Sequence, residues 1–188
     1  MPQASWIHEP DNDHTIERNW LFELKRKRYR SSASKKTHDY YVIELADAVH
    51  AIAVTPDREL VLVRQFRAGA AKDSLETPGG LLEPGEDPLE AGARELLEET
   101  GYAGDPPRSL GSVWSNSSLL SSKITTVSIE NARRVGEKNL DPGEEIEIVL
   151  VPVDQIRRYI KEGLIDNVLV VASLLEWIVD ESERRSKS

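Results

Sequence analysis

Gly80-Leu81-Leu82-Glu83-Pro84-Gly85-Glu86-Asp87-Pro88-Leu89-Glu90-Ala91-Gly92-Ala93-Arg94-Glu95-Leu96-Leu97-Glu98-Glu99-Thr100-Gly101-Tyr102 is the stretch that decides how this chain folds. Two Gly/Pro clusters, Pro78-Gly79-Gly80 and Glu83-Pro84-Gly85, lie close together and predict an ordered loop rather than a flexible linker. A helix then starts sharply. Asp87 is a good N-cap, Pro88 suits the first helical position, and Glu90 completes a capping-box pattern. The helix is predicted to run to about Thr100, with Gly101 as its C-cap. Leu89, Gly92, Ala93 and Leu96 give it an apolar stripe, and Glu95, Glu98 and Glu99 share one arc at that stripe's margin. Like charges at these spacings cost about 0.2–0.5 kcal/mol per pair, which a solvated acidic face can bear. A second reading is an oxygen-rich cup. Arg94 lies one turn before Glu98 and can hold it, and Glu86 sits just upstream. A rigid set of carboxylates of this kind suits Mg²⁺, which takes oxygen ligands and can activate water against a phosphate.

Gly80, then Glu86 after five residues, then Arg94-Glu95-Leu96-Leu97-Glu98-Glu99-Thr100-Gly101-Tyr102 after seven more, resembles the Nudix box at every fixed position, with Tyr102 in the final aliphatic slot. The box covers residues 80–102, and the flanking strands resemble the family over about 40–180. The resemblance implies an α+β fold, an α/β/α sandwich around a mixed β-sheet with an N-terminal β extension. It implies Mg²⁺-dependent hydrolysis of a nucleoside diphosphate linked to another group, with Mn²⁺ able to substitute. It makes Glu95, Glu98 and Glu99 metal ligands, with Glu98 and Glu99 also catalytic, and lets the carbonyl of Gly79 reach a metal. Gly80, Glu86, Arg94 and Gly101 become structural: Glu86 supports the loop and Arg94 orients the glutamates.

Gln65-Phe66-Arg67, Glu76-Thr77-Pro78-Gly79-Gly80 and Asp141-Pro142-Gly143-Glu144-Glu145 further resemble the branch of ADP-ribose and nucleoside diphosphate sugar pyrophosphatases. By that resemblance Arg67 faces the phosphates and Glu76 joins it at the substrate. Glu144 and Glu145 are both candidates for a catalytic glutamate in the late loop. The plainer readings are a strand-end charge for Arg67 and a solvated turn for the glutamates. The branch usually has a proline in the loop after the strand that follows the box. Trp114-Ser115-Asn116-Ser117-Ser118 has none, so nucleotide sugars such as GDP-mannose stand beside ADP-ribose as expected substrates. Members of the branch commonly exchange N-terminal strands in homodimers. Trp6, Trp20, Phe22 and Tyr29 could therefore stack on a base, Trp20 foremost, although ordinary packing explains each singly. Alternative functions are a nucleoside triphosphate or dinucleoside polyphosphate pyrophosphohydrolase, and a non-catalytic nucleotide-binding module.

The rest of the chain fits one domain at 188 residues, read as an extension over 1–40 that supports dimer formation and a catalytic domain over 41–182. Residues 1–19 read as a polar arm or edge element, and Trp20 to Tyr29 as a strand. Strands are also predicted at Asp39–Val54 (one or two), Leu60–Phe66, Leu110–Trp114, Lys123–Ile129 and Glu145–Val153. Helices are predicted at Asp154–Lys161 and Val168–Val179, followed by a frayed charged tail from Asp180. Leu60-Val61-Leu62-Val63 predicts burial on both faces of its strand. A net charge of −9 argues against nucleic acid, RNA caps and acidic membranes as partners. The absence of cysteine excludes thiolate chemistry and fits a cytoplasmic protein. Met1 to Pro10 does not read as a signal peptide, and no apolar run is long enough to span a bilayer.

Overall fold

The computed structural model describes residues 5–140 and 143–187. Met1, Asp141 and Pro142, used in the readings above, lie outside them. The chain forms two compact units.

The first unit gathers the residues before Asp47 together with Trp114–Lys123. Its sheet is antiparallel: β3 (Glu23–Ser31) pairs with β4 (Thr37–Glu44) along its length. The N-terminal end of β3 pairs with β2 (His14–Arg18) and its C-terminal end with β1 (Trp6–His8). The polar segment before Trp20 is thus drawn into edge strands. The cations of β3 are held by acids rather than left as a basic stripe. Lys25 meets Glu44 at 2.6 Å, Arg28 meets Asp39 at 2.7 Å, Arg30 meets Glu9 at 2.8 Å, and Lys27 also reaches Glu44.

The second unit comprises Asp47–Val113 and Ile124–Ser188. It contains β5 (Ala48–Ala53), β6 (Glu59–Arg67), β7 (Lys72–Glu76), β8 (Gly79–Leu81), α1 (Pro88–Thr100) and β9 (Tyr102–Ala103). There follow β10 (Arg108–Trp114), β11 (Lys123–Ile129), β12 (Arg133–Arg134), β13 (Ile146–Pro152), α2 (Ile156–Lys161) and α3 (Val168–Lys187). One sheet has the order β10-β11-β5-β8 and is mixed, with β11 parallel and β8 antiparallel to β5. A second sheet, β13-β6-β7, is antiparallel.

Successive residues of a strand point to opposite faces, and the two cores follow that alternation. Val49, Ala51 and Ala53 of β5 and Val61 of β6 pack with Ala91 and Leu96 of α1. Ile52, Val54, Leu60 and Leu62 face the other way, toward Ile156 of α2 and Val170, Leu174 and Trp177 of α3. Helices therefore cover both faces of the strands, the expected α/β/α arrangement.

Three readings change. Gly79–Leu81 is a strand on β5 rather than loop, because a Cβ at Gly79 would stand 2.1 Å from the Val49 carbonyl oxygen and only glycine permits that approach. The buried face of α1 is Ala91, Gly92, Leu96, Glu99 and Thr100, so Glu99 lies inside the packed face and not at its margin. Positions 92, 96 and 99 fall at i, i+4 and i+7, and a Cβ on Gly92 would meet Val127 Cγ2 at 2.4 Å. The charged tail does not fray at Asp180: α3 continues to Lys187, held by Arg108–Asp180 (2.6 Å) and Arg58–Glu181 (2.9 Å). Among the described residues no helix is long and apolar enough to cross a membrane.

Candidate active site

The site is built on α1, whose ends are set locally. The Asp87 carboxylate accepts a hydrogen bond from the Leu89 N–H at 2.7 Å, and Gly101 closes the helix with φ 72°. Arg94 sits at the centre of the acidic edge. Its Nε and Nη2 donate to the two oxygens of Glu86 at 2.8 and 3.0 Å, while Nη1 donates to Glu95 at 2.8 Å and Glu98 at 3.0 Å. Glu86 in turn accepts the Glu83 N–H at 2.9 Å, which ties the loop to the helix through one guanidinium.

Glu99 is 4% exposed and accepts the Gly79 N–H at 3.0 Å. Burial pushes its carboxyl up to about 8, helped by the charges of Glu95 and Glu144 and opposed by the Gly79 N–H and Arg67. Burial likewise raises Glu95, against the pull of Arg94. Glu144 thus acts on Glu95, Glu99 and Arg67, whereas Glu145, next to it, is exposed on the strand approach. Of the two late glutamates, Glu144 is the one brought to the cluster.

Gly80 lies directly under Glu95: a Cβ there would stand 2.5 Å from Glu95 Oε1. The clash is with the far end of a side chain, not with backbone. Gly80→Ala should therefore leave the melting temperature within about 2 °C while swinging the Glu95 carboxylate aside, with kcat/KM falling about tenfold or more. A large loss of stability with normal activity in the remaining folded protein would contradict this placement.

Residues 44–170 match the NUDIX domain family, two thirds of the chain and the whole of α1. The chain belongs to the NUDIX domain family. It is 32% identical over 134 residues to a methanol dehydrogenase activator of Bacillus methanolicus, covering 70% of this chain and 72% of that one. It is 36% identical over 121 residues to an ADP-sugar pyrophosphatase of Mus musculus, covering 59% of this chain and 55% of that one. The fold matches the crystal structure of an ADP compounds hydrolase with a TM-score of 0.83, over 97% of this chain and 98% of that one, at 22% identity.

Two further candidate residues of this Nudix chain lie on β6 and β7. Arg67 ends β6 and forks onto Glu76, with Nη2 at 2.7 Å and Nε at 3.2 Å. Glu76 is 2% exposed. Burial alone would raise its carboxyl, but Arg67 and Asn167 together hold it below the usual range. Glu76, expected at the substrate, has its oxygens committed to these two partners. Trp20 belongs to the first unit, where it is 92% exposed at the turn between β2 and β3.

The donor set fits a divalent cation. It is all oxygen, and burial raises both Glu95 and Glu99, whose charged forms a cation would stabilise. Among the described residues no three metal-binding side chains converge on one point as they stand. The reason is geometric: Glu95 and Glu98 turn to Arg94, and Glu99 turns to the Gly79 N–H.

Sequence reasoning missed a polar chain beside the site. His50 Nδ1 pairs with Ser173 Oγ at 2.9 Å, and Thr126 Oγ1 donates to the same oxygen at 3.0 Å. Burial lowers His50 to about 4, Glu76 opposing and Arg67 assisting. A folded value below the unfolded 6.5 means the contribution of His50 is fully present above pH 6.5 and is lost as pH falls toward 4. The loss should reach about 2–4 kcal/mol, and His50→Gln should flatten the fall in stability over that window relative to the parent. Parallel curves in denaturant unfolding at each pH would contradict a neutral buried His50.

Proposed function

We propose that this Nudix hydrolase cleaves the diphosphate bond of ADP-ribose or a related nucleoside diphosphate sugar. Water adds across the P–O–P bridge, so one phosphoryl takes the hydroxyl and the other leaves as a phosphate. The products are a nucleoside monophosphate and a sugar phosphate. The observation that carries the reading is the acidic edge of α1, where Arg94 holds Glu86, Glu95 and Glu98 and the buried Glu99 accepts the Gly79 N–H.

The ADP-sugar pyrophosphatase relative supports the adenine nucleotide sugar as substrate. Glu95, Glu98 and Glu99 would hold Mg²⁺, with Mn²⁺ able to substitute and the Gly79 carbonyl as a further ligand. When bound, the ion supplies neutralisation of the diphosphate and a more acidic water. Glu144 or Glu99 accepts the proton of the attacking water, and Glu144, whose charge acts on the cluster, is the better placed of the late pair. Arg67 binds the phosphoryl oxygens, held in aim by Glu76. Arg94 and Glu86 keep the carboxylate edge rigid.

The unit built on β3 supports a homodimer, since Trp6, Ile7, Ile16 and Trp20 are exposed on it. The absence of cysteine supports a cytoplasmic setting.

A panel of nucleotide sugars with Mg²⁺, scored by monophosphate release, tests the substrate. Release of AMP from ADP-ribose and ADP-sugars above all others is the expected result. Preferred release of pyrophosphate from nucleoside triphosphates, or tight binding with no phosphate ester formed, overturns it.

A further inference from the structure

Glu76 closes β7 and is almost completely buried, at 2% exposure. A buried carboxylate is costly unless its oxygens are paired. Arg67 donates to both oxygens, most closely to Oε2 at 2.7 Å and to Oε1 only at 3.2 Å. Oε1 also accepts from Asn167 Nδ2 at 3.0 Å, across 91 residues of chain. Asn167 also stands at the start of α3: its Oδ1 accepts the Leu169 N–H at 3.0 Å, and its carbonyl accepts the Val171 N–H at 2.9 Å. Both ends of one amide are therefore used, the oxygen on the first turn of a helix and the nitrogen on the buried acid. The neighbouring Asp166 pairs with Lys72, which lies opposite Arg67 in the β6–β7 ladder. The start of α3 grips this hairpin at two points, both next to Arg67.

We propose that Asn167 is a positioning residue which, through Glu76, fixes the Arg67 guanidinium for the substrate diphosphate; this rests on the role given to Arg67 in the proposed function. Asparagine alone supplies both groups that the position uses. Serine can cap the helix but lacks the reach and the amide donor. Aspartate can cap it but sets a second carboxylate against Glu76. With Asn167 absent, Oε1 of Glu76 loses its 3.0 Å amide donor and the Arg67 fork loses the rigid acid that aims it.

The test is a double-mutant cycle of Asn167→Ser and Arg67→Ala on full-length protein with ADP-ribose and Mg²⁺, together with NMR exchange of the Arg67 Nε–H. Asn167→Ser should raise KM about tenfold with kcat little changed, and should accelerate Arg67 Nε–H exchange, while the retained cap keeps the melting temperature close to the parent. In the Arg67→Ala background it should have no further effect on KM. Asn167→Asp should be worse than serine, which a purely helix-capping role would not produce. Additive losses, or unchanged exchange in Asn167→Ser, overturn the relay. If Arg67→Ala is itself without effect on KM, the role of Arg67 in the proposed function fails, and the relay falls as a device for substrate even where exchange still reports the contact.

Discussion

Glu99→Gln should lower kcat about a thousandfold or more while leaving the protein at least as stable as the parent at neutral pH. Both halves follow from where the side chain sits. Glu99 is packed inside the buried face of α1, and its carboxyl is pushed up to about 8. At pH 7 and without metal it is therefore mostly neutral in the folded state, and glutamine matches its shape and charge. Its oxygen can still accept the Gly79 N–H. The parent's raised carboxyl contributes stability fully below pH 4.5 and loses it as pH climbs through about 8, so the variant should gain on the parent across that window and keep its lead above it. What glutamine cannot do is become an anion when a cation arrives. Steady-state kinetics at pH 7, with thermal unfolding at pH 4.5 and pH 9, separate the two effects. Activity that survives the change removes Glu99 from the chemistry.

Arg94→Ala should damage fold and activity together, with about 2–3 kcal/mol of stability lost and kcat/KM down about a hundredfold. Arg94 is the shared partner of Glu86, Glu95 and Glu98. Glu86 and Glu95 are largely buried, so its removal leaves two poorly hydrated carboxylates without a counter-charge. The figure stays below that of a fully buried pair because Arg94 retains 28% exposure and Glu98 39%. Arg94→Lys should recover little, since an ammonium cannot fork onto both Glu86 oxygens while reaching Glu95 and Glu98. Denaturant unfolding beside kinetics checks this, and a stable, active Arg94→Ala protein would contradict it.

Helix α1 was legible in the sequence because its signals are local: an N-cap, a proline at the first position and a glycine in the left-handed region bound it within one residue. The β-branched runs of β5, β6 and β11 were legible for the same reason, and Leu60 to Val63 are indeed buried on both faces. What was not legible depends on partners distant in the chain. Gly79–Leu81 becomes a strand only because β5 lies beside it. The tail after Asp180 stays helical because Arg58 and Arg108 reach it from elsewhere in the chain. Glu76 carries a substrate-facing sequence context, yet Asn167 and Arg67 draw it inward. Asn167 itself had a local signal, an asparagine directly before the apolar run Val168–Val171, which marks a helix cap. Nothing local could show that its amide nitrogen is spent on β7. Glu144 is separated from Glu145 by its lower exposure and by the field it exerts on Glu95 and Glu99, both tertiary properties.

The central claim is that the carboxylates along one edge of α1 collect divalent ions against a bound diphosphate. Mn²⁺ binding followed by electron paramagnetic resonance, with and without a methylene-bridged ADP-ribose analogue, tests it most directly. The parent should bind Mn²⁺ more tightly when the analogue is present, and a Glu95→Gln, Glu98→Gln, Glu99→Gln triple variant should lose that binding while remaining folded. Equal Mn²⁺ binding by the parent and the triple variant would contradict the claim.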